Sequence, residues 1–274
     1  MIKQSLFIVL FISSIFSGQI EFDRFTIDDG LSQNTVYEIF QDSRGYIWMG
    51  TQGGLDRFNG YEFKQYEHES TDSTTIVDGY IRCINEDEDG LLWLGTSNGN
   101  LGWFDPFEEI GGSVDLYKDH TGINRPDRIE NIFFHKDDIF LATIGSGLCR
   151  YNKTDGSILW YREDSTAAHY IKGTHFNSVF SISDNELVIG DRDILVLNTE
   201  TNLHTKPYND WMEKELGFPA DSLGLTHISR DGKGNWYLGI WNTIGLIVLN
   251  VENQTASQHF PLPKDPETGK YPRP

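Results

Sequence analysis

The sequence predicts an all-β fold, a β-propeller of four-stranded antiparallel blades with about five blades present, and three observations carry that expectation. The string Gly45-Tyr46-Ile47-Trp48-Met49-Gly50-Thr51 recurs as Gly90-Leu91-Leu92-Trp93-Leu94-Gly95-Thr96. Weaker copies follow at 139–143, 187–190 and 234–239, and taking Trp48, Trp93, Phe140, Val188 and Tyr237 as equivalents gives spacings of 45, 47, 48 and 49 residues. Such a period belongs to propeller blades or long helical repeats. The composition decides between them: 27 glycines with 7 Trp, 12 Tyr and 17 Phe suit short aromatic strands broken by glycine turns.

Each unit reads as four short strands, a to d. In the first, strand a is Val36 to Gln41, and Asp42-Ser43-Arg44-Gly45 turns into strand b at Tyr46 to Thr51. Gln52-Gly53-Gly54 leads to strand c, Leu55 to Phe58, and the hairpin pair Asn59-Gly60 to strand d, Glu62 to Glu67. The second unit repeats this order with Ile81 to Glu86, Leu91 to Thr96, Leu101 to Asp105 and Val114 to Lys118. No blade can bury its aromatic face alone, so Trp48 and Trp93 are expected between blades. Between the fourth and fifth units, Asn209-Asp210 as N-cap, 211–216 as an amphipathic turn and Gly217 as its end predict a brief helix that covers blade edges.

Residues 1–18 read as a signal peptide, with Lys3 ahead of the apolar run Leu6 to Phe16. That run falls short of the roughly 20 residues needed to span a bilayer. The propeller then occupies 19–262, and 263–274 is a proline-rich connector to further sequence. Glu21 to Thr26 resembles a strand d, yet every unit already owns one, the last at Ser257 to Leu262. An orphan outer strand needs another blade to join, which predicts an incomplete ring; a self-closed five-bladed ring with the N-terminal strand as a cover is the alternative.

A net charge of −19 disfavours nucleic acid and anionic membrane surfaces as partners and favours neutral or cationic ligands. Cys83 and Cys149 fall on different strand types of neighbouring units and read as buried free thiols.

The repeat resembles that of the two-component regulator propeller family, sensor modules of bacterial hybrid histidine kinases. The resemblance lies in Asp29-Gly30-Leu31-Ser32, Val36, Asp42, Gly45, Ile47-Trp48, Gly50-Thr51 and Gly54-Leu55-Asp56-Arg57-Phe58, and nearly as closely in the second unit. Later units lose the tryptophan at its aligned place and follow by spacing. The resemblance implies a periplasmic, exported sensor propeller that recognises a small molecule or glycan fragment and is not itself an enzyme. It also implies further blades, an inner-membrane anchor and a histidine kinase in the same receptor, which is a possible homodimer. No cofactor is expected.

Candidate sites follow from propeller geometry. Loops entering strand a and loops joining b to c share one face, where Asn34, Arg125, Arg128, His175, Asn177, Arg192, Trp241 and Asn242 fall. Trp241 is suited to stacking on a sugar ring, the arginines and asparagines to binding hydroxyls. A secreted glycoside hydrolase or lyase is the alternative, with Glu38 and Glu130 as its carboxylates on strand a. No metal site is expected: Asn85 to Gly90 imitates a calcium loop, but its twelfth position is Thr96 and not a bidentate glutamate, so it reads as a hairpin turn.

Overall fold

The turn between strands a and b sets each well-formed blade. In the first unit the Asp42 carboxylate accepts the backbone N–H of Arg44 at 3.0 Å and of Tyr46 at 2.9 Å, and Gly45 takes the left-handed φ of 92° that closes the turn. Asp87 and Asp231 repeat these bonds to Asp89 and Leu91, and to Lys233 and Asn235. The second carboxylate oxygen then fixes a side chain on strand b, receiving the indole N–H of Trp48 from 2.9 Å, that of Trp93 from 2.9 Å, and the hydroxyl of Tyr237 from 3.1 Å. Asn85 to Gly90 is therefore a structural hairpin, its Asp87 held further by Lys153 at 3.0 Å.

The computed structural model describes residues 23–118, 125–163, 169–217, 224–240 and 245–259. Five four-stranded antiparallel sheets form the blades of a β-propeller. Blade one is β1 (Val36–Gln41), β2 (Ile47–Thr51), β3 (Leu55–Phe58) and β4 (Phe63–Tyr66). Blade two is β5 (Ile81–Glu86), β6 (Leu92–Thr96), β7 (Leu101–Asp105) and β8 (Ile110–Val114). Blade three is β9 (Arg128–His135), β10 (Asp138–Ile144), β11 (Leu148–Asn152) and β12 (Ile158–Tyr161). Blade four is β13 (Ser178–Ser183), β14 (Glu186–Gly190), β15 (Ile194–Asn198) and β16 (His204–Thr205). Blade five is β17 (Leu225–Arg230), β18 (Asn235–Ile240), β19 (Gly245–Asn250) and β20 (Thr255–His259). The inner strands pack in succession, β1 on β5, β5 on β9, β9 on β13 and β13 on β17.

Register confirms the equivalence of Trp48, Trp93, Phe140, Val188 and Tyr237. Each lies two residues before the strand-b position, Gly50, Gly95, Ala142, Gly190 or Gly239, that pairs near the start of strand a. The first four are buried and face the following blade. Among the described residues four hydrophobic clusters hold the five blades, one at each junction from one–two to four–five, and none joins blade five to blade one. The outer face of blade one is correspondingly bare. Ile39 is 64% exposed, whereas its equivalent Ile84 is 6% exposed and Ile132, Val179 and Ile228 are buried. At the other end Tyr237 is only half-buried.

Some expectations need correction. Blade two's outer strand lies at Ile110–Val114 and not at Val114 to Lys118, because Asp105 accepts the N–H of Phe107 and Glu108 and Glu109 takes a φ of 58°, reversing the chain sooner. Of the segment 21–26, expected to join a blade beyond these five, the described residues 23–26 pair with no strand of the five blades and lead into a 3-10 helix at Ile27–Asp29 capped by Thr26. Its anchor is a side chain, with the Phe25 ring 5.1 Å from that of Phe58 and 5.5 Å from that of Phe63. Residues 21 and 22, the signal segment 1–18 and the connector 263–274 lie outside the described residues.

The expected helix forms as α1 (Asn209–Leu216) and ends at Gly217 with a φ of 77°, but its N-cap is Tyr208, which makes no side-chain capping bond. Met212 is buried in the cluster between blades four and five, and α1 packs on β20. Cys83 and Cys149 are buried and unpaired, and burial pushes both thiols well above the usual range.

Candidate binding site at the channel mouth

Strand a carries a bulge near its start in four blades. Pairing with strand b skips Tyr37 between Val36 and Glu38, Arg82 between Ile81 and Cys83, Glu130 between Ile129 and Asn131, and Thr226 between Leu225 and His227. In blade four Asn177 occupies the corresponding place, just ahead of β13. A bulged residue is released from the ladder and re-aimed. Here the inner strands lie side by side, so the released side chains gather at one end of the channel.

A pocket of about 480 Å³ opens there, lined by Arg82, Glu130, Asn177 and Thr226 of this set together with Arg128, Ile144, His175, Asp191, Arg192, Gly224 and Leu225. One Arg82 nitrogen donates to both Glu130 oxygens at 2.9 Å, and Arg128 Nε binds Oε1 of the same carboxylate. The Arg82 guanidinium also lies 4.7 Å from the centre of the Tyr37 ring. Two buried polar atoms in this wall, Arg82 Nε and Asn177 Oδ1, have no hydrogen-bond partner among the described residues. Asn177 is held through its amide nitrogen, which donates to the Leu225 carbonyl.

Asp191 closes one side. Burial pushes its carboxyl up to about 6, opposed by a backbone hydrogen bond from Arg192, reinforced by Asp193 and opposed by the charges of His175 and Arg192. Gly173 makes room for it: a Cβ there would stand 2.1 Å from Asp191 Oδ2. Beyond Asp191 the pocket continues into a second cleft of about 250 Å³ that shares His175, Asp191 and Arg192 and adds Lys172, Asp193 and Lys206.

Of the residues expected from sequence, Arg128, His175, Asn177 and Arg192 converge in this pocket. Asn34 and Arg125 do not line it. Asn34 accepts the N–H of Ile27 at 3.0 Å, and Arg125 donates to Asn100 at 2.9 Å and covers the Tyr117 ring at 5.0 Å, so both brace neighbouring loops. Trp241 and Asn242 lie outside the described residues. Sequence reasoning missed Arg82 and Thr226 as lining residues. Their signal was countable: each immediately precedes the strand-a residue that pairs with the glycine of strand b, Gly95 and Gly239.

The carboxylates suited to glycoside hydrolysis occupy different places. Glu130 sits at the bulge between two arginines, while Glu38 pairs with Gly50 at the position Cys83 fills in blade two, its carboxyl raised by burial. Among the described residues no cluster of three or more His, Cys, Asp or Glu side chains is placed to hold a metal ion, and no helix is long and apolar enough to cross a membrane.

Comparison with known proteins agrees with this architecture. A stretch of 55 residues is 49% identical to histidine kinase P4 of Formosa agariphila, covering 20% of this chain and 4% of that protein. The extracellular domain of BT3049 from B. thetaiotaomicron, described as a hybrid two component system, superposes with a TM-score of 0.69 at 20% identity over 86% of this chain and 31% of that one. That of BT4673 from the same organism gives 0.66 at 21% identity, over 86% and 33%. Streptogramin B lyase gives 0.59 at 15% identity, over 89% and 72%. At these identities the structures share a fold, which sensors and enzymes both use. This chain spans about a third of the two extracellular domains. Residues 30–53 and 75–98, which contain β1 and β2, and β5 and β6, match the two component regulator propeller family. The chain is a five-bladed propeller whose first two blades carry sequence matching the two component regulator propeller model.

Proposed function

We propose that this propeller is the exported, ligand-sensing part of a two-component receptor and that it binds a small molecule, a glycan fragment in the first instance, at the mouth of its channel. The observation that carries the reading is the convergence of bulge residues from blades two, three and five with b–c loop residues of blade four in one pocket. A concave site with a few polar groups on rigid strands fixes a ligand's orientation. Arginine and asparagine at this spacing are suited to the many hydroxyls of a sugar. The segment does no chemistry in this reading; the kinase that reports occupancy belongs to the longer receptor, anchored in the inner membrane.

The bare Ile39 on blade one and the lack, among the described residues, of a hydrophobic cluster joining blades five and one support a ring completed by further blades of that receptor. Isothermal titration of the receptor's whole exported region with a panel of oligosaccharides tests the binding role. Saturable binding that His175→Ala weakens by tenfold or more is the expected result, and turnover of a glycosidic bond by the same protein would overturn the non-enzymatic reading.

A further inference from the structure

The pocket is cationic inside an acidic chain. Three guanidinium groups, Arg82, Arg128 and Arg192, and the imidazole of His175 line it against two carboxylates, Glu130 and Asp191. Glu130 is shared between two of those arginines. Arg192 is exposed on the rim, and among the described residues its guanidinium makes no hydrogen bond or ion pair that would use its donors. Five donors in a planar fork match a carboxylate or sulfate edge-on. Of the two unpartnered buried atoms, Arg82 Nε points the same way, since a buried donor left unpaired is costly and a ligand oxygen would relieve it. The other, Asn177 Oδ1, is an acceptor, which an anion alone cannot satisfy but a sugar hydroxyl can.

Net charge argued for a neutral or cationic ligand, but at physiological ionic strength charges beyond about 8 Å are largely screened. The local arginines, not the distant surface carboxylates, then decide what is held.

We propose that the pocket selects an anionic sugar, its carboxylate or sulfate held by Arg192 with Arg82 and Arg128 behind it and its hydroxyls by Asn177. This rests on the proposed ligand-sensing role of the same pocket and names the class of ligand that role would serve. The anionic group comes from one of two sources, a uronic acid or a sulfate ester, and the chemistry of recognition is common to both.

The test is a calorimetric titration of the whole exported region of the receptor with glucuronate, glucose 6-sulfate and, as the neutral match, glucose. Binding of either anion at least tenfold tighter than glucose is expected, weakened about tenfold by Arg192→Ala and partly restored by Arg192→Lys. Glucuronate alone binding assigns a uronate; the sulfate ester alone assigns a sulfated sugar. Glucose binding as well as the anions, with Arg192→Ala silent, overturns the anionic preference and leaves the sensing role standing. Binding of none of the three overturns the preference too, while the oligosaccharide panel decides the sensing role separately.

Discussion

The indole N–H of Trp48 lies 2.9 Å from the carboxylate of Asp42, six residues earlier, and the same bond joins Trp93 to Asp87. The carboxylate organises its own turn and orients the ring that fills the junction with the next blade, so turn and core are one device. Asp42→Ala leaves an indole and two backbone donors without their acceptor and is expected to lower unfolding free energy by about 1–3 kcal/mol. Trp48→Ala, which empties a fully buried site, is expected to cost about 3–5 kcal/mol. Urea unfolding of the two variants and the pair together checks this; strict additivity would contradict the coupling.

Ile39 and Ile84 are equivalent by register but not by surroundings. In this chain Ile84→Arg buries a charge and should prevent folding, whereas Ile39→Arg should change stability by less than about 0.5 kcal/mol. In the whole exported region, where a further blade is proposed to cover that face, Ile39→Arg should become as damaging as Ile84→Arg. Thermal melts of both variants in both lengths of protein separate the two situations.

Gly95 marks where blades two and three approach. A Cβ there would stand 2.5 Å from Cys83 Sγ and 2.8 Å from Ile129 Cγ2, so Gly95→Ala should destabilise by about 1–3 kcal/mol through overpacking. Gly79→Ala, with nothing within 4 Å, is the control and should be near neutral. Denaturant midpoints measured side by side give the comparison.

Asp191 gives the fold a pH dependence of known sign. Its carboxyl is raised from the ordinary carboxylate range to about 6, so between about pH 4 and 6 the folded state holds the proton more tightly than the unfolded one. Stability contributed by this group is therefore present below about pH 4 and lost as pH rises through about 6. Asp191→Asn should raise stability at about pH 7–8 by about 1–2 kcal/mol and make no difference near pH 4. The groups around it are His175, Arg192, Asp193 and Lys206, which binds Asp193, with Glu163 and Lys172 across the adjoining cleft. Repeating the measurement in a His175→Gln background isolates the carboxyl from the imidazole. Melting temperature against pH is the readout, and equal slopes for the unsubstituted protein and the Asp191→Asn variant would refute it.

The blades themselves were legible in sequence because the constraint is local and repeated. An aspartate, a positive-φ glycine and an aromatic residue at fixed offsets define the a–b hairpin, and strands β1, β3, β5 and β7 begin and end where that pattern places them. Blade two's outer strand was misplaced because Asp105 and Glu109 form a tight turn with no glycine in it. Residues 23–26 pair with no strand of the five blades, and Phe25 rests on the rings of Phe58 and Phe63. Of the eight residues expected on the face, four line the candidate pocket, because loop position alone put Arg128, His175, Asn177 and Arg192 there. Arg82 escaped because strands alternate, and only a bulge turns that residue toward the channel. Asn34 and Arg125 shared the face but spend their polar groups on neighbouring loops.

The hydrophobic clusters lie between blades and not within them, and this has a consequence for how such a chain can change length. Every internal blade offers the same forward side, led by a residue equivalent to Trp48, and the same rearward side, led by one equivalent to Ile84. Duplication or loss of one whole repeat therefore creates no new kind of junction, whereas a cut inside a repeat strips two. Genes for such proteins can drift by whole units of about 47 residues while remaining foldable at every step, and the channel residues, one per unit, are renewed with each copy.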